Sequence, residues 1–143
     1  ITHLDLSDNN ITGNRGRELK GLTHLMKDFM VNGKAFQCRM NKINSQGVWA
    51  ITNCLGAFSS LTYLDISYNE AGLDPLGRQN SEGIAAMAMA LKVSLHMRVL
   101  KIAENHLVDD DFVHLGDALS YMPQFQDLDV ASNQCRTNGA RAL

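Results

Sequence analysis

Five times along this chain two apolar residues flank a single polar one, and an asparagine follows three positions after the second. The clearest copy is Leu61-Thr-Tyr-Leu64-Asp-Ile66-Ser-Tyr-Asn69. Leu64 and Ile66 around Asp65 have the period of a strand with one buried face, so Tyr63, Asp65 and Ser67 point the other way. Asn69 falls where the strand ends and the chain must turn. An amide there donates and accepts at once, and can pair backbone groups that the turn leaves unmatched. A lone copy would fit a surface hairpin. Five copies require a stacked array whose asparagines, Asn9, Asn41, Asn69, Asn105 and Asn133, form a ladder.

The frames are Ile1, Leu4, Leu6, Asn9, Ile11; Gly33, Phe36, Cys38, Asn41, Ile43; Leu61, Leu64, Ile66, Asn69, Ala71; Met97, Leu100, Ile102, Asn105, Leu107; and Phe125, Leu128, Val130, Asn133, Cys135. Their starts at 1, 33, 61, 97 and 125 are spaced by 32, 28, 36 and 28, a base period of 28 with insertions in the first and third repeats. Each asparagine is followed by helical spacing. Val48, Ile51 and Leu55 share a face, as do Ile84, Met87 and Leu91, and Phe112, Leu115 and Leu119. Asp109, Asp110 and Asp111 suit the positive end of the last of these helices, and Ser81 is a natural N-cap for the one before it. The segment through Glu18, Leu19, Leu22, Leu25, Met26 and Phe29 is long enough to absorb the first insertion.

A 28-residue strand–turn–helix unit, with Ser81-Glu-Gly83-Ile-Ala-Ala-Met87 and Asn138-Gly139-Ala-Arg-Ala-Leu143 as helix starts, resembles the ribonuclease-inhibitor-like subfamily of leucine-rich repeat proteins. An asparagine in every repeat is more similar to its intracellular regulators than to its inhibitors. The resemblance spans essentially the whole chain and implies an α/β solenoid, a horseshoe with a parallel β-sheet on the concave face and helices on the convex face. The second repeat departs from the pattern, with Gly33 and Cys38 at apolar sites. Residues 1–143 then form a single array of about five repeats. Neither end has a polar capping unit, so a piece of a longer array is expected, exposing Phe125, Leu128 and Leu143.

Composition narrows the partners. A net charge of −2 argues against nucleic acid or an anionic membrane. No apolar run reaches membrane-spanning length. Three cysteines, Cys38, Cys54 and Cys135, read as small buried hydrophobes, and with no cysteine-rich caps they favour a reducing, cytoplasmic setting, although Asn10-Ile11-Thr12 fits a glycosylation acceptor.

Catalytic chemistry is hard to find. His106 and His114 bracket the three aspartates, but a helix start already explains those carboxylates. No nucleophile elbow or phosphate loop is present, so neither an enzyme nor a cofactor or metal is expected. Gly72–Asn80 reads as a surface loop. What remains is the inner face, with Asp5, Asp8, Arg39, Met40, Tyr63, Asp65, Tyr68, Lys101, Glu104, Asp127 and Asp129 pointing away from the core. Six carboxylates against two cations make that face acidic, which suits a protein partner with a basic surface. Tyr63, Tyr68 and Met40 are candidate anchors. The expected function is protein–protein recognition or scaffolding within a larger intracellular protein. The resemblance also admits a GTPase-activating protein of the Ran-activator type, for which Arg15, Arg17 or Arg39 could serve.

Overall fold

A computed structural model describes residues 1–13, 18–56 and 59–143. Strands and helices alternate throughout: β1 (His3–Asp5), α1 (Lys20–Phe29), β2 (Ala35–Gln37), α2 (Ser45–Thr52), β3 (Tyr63–Asp65), α3 (Glu82–Val93), β4 (Val99–Lys101), α4 (Asp109–Leu119), β5 (Asp127–Asp129) and α5 (Thr137–Ala142). The strands form one parallel sheet in chain order. Its register aligns Leu4, Phe36, Leu64, Leu100 and Leu128, the same residues that the repeat frame aligns. One repeat is therefore one strand step, and the chain is an α/β leucine-rich repeat solenoid.

The core lies between sheet and helices. Phe36, Leu64, Ile66, Leu100 and Ile102 from the strand segments meet Met26, Val48, Ile51, Ile84, Met87, Leu91, Phe112 and Leu115 from the helices, all buried. Leu4, Leu6, Leu128 and Val130 are half-buried, because β1 and β5 have a neighbouring strand on one side only. Two glycines mark close approaches. A Cβ on Gly33 would run into the Phe29 ring, which lies 5.9 Å from the Phe36 ring and occupies the space beside the frame position that Leu61 and Met97 fill in their repeats. On Gly83 it would meet the Ser45 carbonyl oxygen, where α3 abuts the start of α2.

Both insertions lie before their helices, rather than the first lying inside α1 as the spacing suggests. Helices α2, α4 and α5 begin directly after Asn41, Asn105 and Asn133, whereas α1 waits until Lys20 and α3 until Glu82. The Thr12 carbonyl accepts the Glu18 N–H at 2.8 Å, which keeps Glu18 and Leu19 ahead of the helix. The third-repeat insertion is more than a loop. Leu73 and Gln79 bridge antiparallel, and the Asp74 carboxylate accepts the N–H groups of Leu76 and Arg78 while pairing the Arg78 guanidinium at 2.6 Å. Ser81 stands at the N-cap of α3 but makes no side-chain cap bond; Asn80 Oδ1 accepts the Glu82 N–H instead. Asn44 caps α2 by accepting from Gln46 and Gly47.

The ladder carries the turns. Asn69 Nδ2 donates to the carbonyl of Cys38 in the preceding repeat and to Ile66 and Ser67 in its own. Its Oδ1 accepts the N–H groups of Asn41 and Ile43, again in the preceding repeat. Asn41, Asn105 and Asn133 repeat this reach backward, to Leu6, Ile66 and Ile102. Asn9 is exposed and its side chain bonds within its own repeat, to Leu6 and Ser7, while its N–H donates to Asn41 Oδ1. Before each ladder asparagine stands a non-glycine residue in the left-handed region: Asp8, Met40, Tyr68, Glu104 and Ser132, with φ between 52° and 59°. Such a backbone costs on the order of 1 kcal/mol per residue and persists because the asparagine bonds over-determine the turn.

Two of the three cysteines differ from expectation. Cys38 is buried, and desolvation pushes its thiol far above the ordinary range. Cys54 is half-buried, and Cys135 is exposed on the outer side of the fifth repeat, where no turn packs among the described residues. At the start of α4, Asp111 is buried with Oδ2 accepting the Val108 N–H at 2.8 Å and Oδ1 without a hydrogen-bond partner. Burial raises its pKa, outweighing the lowering by the Val108 N–H, the Ser81 hydroxyl and His114.

Two outcomes follow. Asn69→Ala lowers the unfolding free energy by about 3 kcal/mol, since it strands buried backbone groups of two repeats, whereas Asn9→Ala costs under about 1 kcal/mol; urea denaturation compares them. For Asp111 the folded state holds its proton more tightly than the unfolded chain. Its contribution to stability is therefore full below the ordinary carboxylate range and is lost as pH rises through the raised folded value. Asp111→Asn, which still offers Val108 an acceptor, removes that part of the pH dependence from the melting curves.

Candidate concave interface

The sheet face opposite the helices gathers most of the candidate residues. Strand alternation sends residues 63 and 65 outward from β3 and 101 outward from β4, and the segment after β2 presents Arg39 beside them. The Arg39 guanidinium lies 5.0 Å from the Tyr68 ring centre, and its Nε is 3.9 Å from Asp65 Oδ2. Lys101 Nζ lies 6.0 Å from the Tyr63 ring centre. The Tyr63 hydroxyl is 3.5 Å from the same Asp65 oxygen. Burial, and then the Asp65 charge, raise the Tyr63 pKa, so Tyr63 keeps its proton. Arg39, Tyr63, Asp65, Tyr68 and Lys101 thus form one connected cluster at the middle of the face.

Asp65 itself is not the open carboxylate that strand alternation suggests. It is 4% exposed, because Arg39 and Tyr63 cover it and its Oδ1 turns back to accept the Ser67 N–H at 3.0 Å. This is part of a second, shorter ladder. Asp5 and Asp129 accept the N–H of Ser7 and Ala131 in the same way. In the alternate repeats, where Gln37 and Lys101 stand instead, the hydroxyl of the previous repeat's serine does the work: Ser7 Oγ accepts from Arg39 and Ser67 Oγ from Ala103. Three of the six inner-face carboxylates are therefore bonded to the backbone. Ser67 and Ala103 are buried with Asp65.

The remaining candidates divide by position. Met40 and Tyr68, 50% and 45% exposed, stand with Glu104 and Asp8 on the left-handed turn residues along one rim of the sheet. Asp127 is exposed on β5 and lies near enough to Tyr63 to act on it electrostatically. Asp129 is half-buried. Asp5 is exposed at the other end, where its bonds to Ser7 and the nearby Arg39 charge hold its carboxyl below the usual range. Cations and tyrosines therefore occupy the centre, with unpaired acids at both flanks.

Sequence reasoning missed Trp49. It is 56% exposed on α2, beside a recess lined by Leu19, Ser45, Gln46, Glu82 and Gly83. The available signal was its place one position off the Val48–Ile51 face. Elsewhere on the convex side Lys92 pairs with Asp117 at 2.5 Å and lies over Tyr121. Among the described residues no group of three or more His, Cys, Asp or Glu converges as metal ligands do, and no helix is long and apolar enough to cross a membrane. Asp109, between His106 and His114 in sequence, accepts the Arg136 N–H and so ties α4 to the fifth repeat.

With this geometry in view, comparison with known proteins agrees on the class. A family model described as Leucine Rich repeat matches residues 1–14. The fold is similar to a solved structure titled "Leiomodin-1 Actin-Binding Site 2 (ABS2)", with a TM-score of 0.71 at 14% identity, covering 98% of this chain and 74% of that one. No curated protein matches. These likenesses agree with the fold described above, a leucine-rich repeat solenoid.

The burial of Asp65 is directly checkable. Asp65→Ala lowers stability by about 2 kcal/mol, by unpairing the Ser67 N–H and leaving Arg39 Nε without its nearest anion. Asp127→Ala, on the same face but exposed, changes stability by less than about 0.5 kcal/mol. Equal effects in thermal melts would mean that the two carboxylates share one environment.

Proposed function

We propose that this chain recognises another protein through its concave sheet face, as an intracellular leucine-rich repeat module of the ribonuclease-inhibitor-like type. The observation that carries the reading is the central cluster. Two half-exposed tyrosines with cations over their rings form a preorganised, adhesive surface of the kind that supplies most interface energy. The unpaired acids at the flanks suit basic groups on the partner. No pocket is needed for such a function, since continuity across five strands supplies the area. Three unpaired cysteines support a reducing, cytoplasmic setting. Because the similar solved structure carries an actin-binding title, actin is the first partner to assay.

A Ran-type GTPase activator has no comparable support. Arg39 is engaged with Asp65 and Tyr68 rather than presented alone, and Arg15 and Arg17 lie outside the described residues.

The test compares the two faces. Tyr63→Ala with Tyr68→Ala weakens partner binding by about 2 kcal/mol or more without unfolding the array, whereas Lys92→Ala or Glu82→Ala on the helical side leaves affinity unchanged within error. Calorimetric titration with the captured partner reads both. Costly residues confined to the helices, to Trp49 or to Gly72–Asn80 would move the interface off the concave face.

A further inference from the structure

The geometry points to a partner segment that crosses the strands with one carboxylate at its centre and a basic residue on either side. This rests on the concave-face reading and specifies what that face takes. The face is acidic by count, yet its middle is not. Inward of the rim, where Glu104 stands exposed, Asp65 is the one carboxylate of the middle repeats; it is 4% exposed and is committed to the Ser67 N–H, so it presents almost nothing outward. Arg39 and Lys101 flank it from the second and fourth repeats. The Arg39 Nε is buried without a hydrogen-bond acceptor, because 3.9 Å to Asp65 is too long for one. Lys101 has the Tyr63 ring at 6.0 Å and makes no ion pair among the described residues. Inward of the rim, two cations over one covered anion leave the centre net positive.

The flanks reverse the sign. Asp5 stands exposed at the first repeat, and Asp127 is exposed at the fifth with Asp129 half-buried beside it. No cation pairs with any of these three among the described residues. Along the sheet order the outward charge therefore runs negative, positive, negative. A uniformly basic partner would meet Arg39 and Lys101 as like charges, in a half-buried setting where repulsion is poorly screened. An acid at that point instead meets the exposed part of the Arg39 side chain, which is 41% exposed, and Arg binds a carboxylate through two parallel bonds.

Spacing fixes the register. Strands about 4.8 Å apart place β1 and β5 roughly 10 Å on either side of β3. An extended chain advances about 3.3 Å per residue, so the complementary segment has its acid three residues from each base. Tyr63 and Tyr68 lie under the residues beside the acid, which favours apolar or β-branched side chains there.

The experiment uses three synthetic heptapeptides and the whole chain: Lys-Thr-Val-Glu-Val-Thr-Lys, the same with Gln at the centre, and the charge-reversed Glu-Thr-Val-Lys-Val-Thr-Glu. Binding is read by amide chemical-shift titration. The expected result is that the Glu peptide shifts residues of β2–β4 and binds at least about fivefold tighter than the Gln peptide. Arg39→Gln or Lys101→Gln abolishes that preference, while Asp5→Asn with Asp127→Asn weakens both lysine peptides alike. If the Glu and Gln peptides bind the concave face equally, or the reversed peptide binds it best, this inference is overturned and the concave-face reading stands. Shifts confined to the helices, or none with any peptide, overturn both.

Discussion

A side-chain amide bonded across two turns is the interaction on which this structure depends. Each strand is three residues long, too short to fix a turn by its ladder alone. The chain leaves every strand through a residue with positive φ, a costly conformation for Met40, Tyr68 or Glu104. Asn41, Asn69 and Asn105 make that exit stable by pairing backbone donors and acceptors that would otherwise be buried unmatched. Since each asparagine reaches into the preceding repeat, folding of one turn supplies partners for its neighbour, the near-neighbour coupling expected of a solenoid.

The same turns set the chemistry of the inner face. Their left-handed residues project along one rim, so side chains unsuited to such a backbone are found where a partner can touch them. Asp5, Asp65 and Asp129 each accept a backbone N–H two residues on, and of the three only Asp65, at the centre, is covered. What reaches solvent at the centre is consequently aromatic and cationic. Charge counted from the sequence and charge presented to a partner differ on this face.

The repeat frame was legible because its signal is periodic: the residues aligned by spacing, Leu4 through Leu128, are those the sheet pairs. The inner-face positions were legible for the same reason, since strand alternation alone decides which way residue 63 or 101 points. Burial of Asp65 was not, because it depends on where the Arg39 side chain falls from a neighbouring repeat. The insertion before α1 was misplaced by helical spacing that runs on through Glu18 and Leu19; a backbone bond to Thr12, invisible in composition, keeps them out of the helix. Cys135 shares a frame position with buried Ala71 and Leu107, but no turn packs over it among the described residues.

The claim that the asparagines couple neighbouring repeats can be tested amide by amide. Native-state hydrogen exchange on the parent and on Asn69→Ala compares the N–H groups of Asn41 and Ile43, which Asn69 accepts, with that of Leu107, which Asn133 accepts. Coupling through the side chain predicts that Asn41 and Ile43, in the preceding repeat, lose protection far more than Leu107. Protection at Asn41 and Ile43 that is unchanged, or that falls only in step with Leu107, would contradict it.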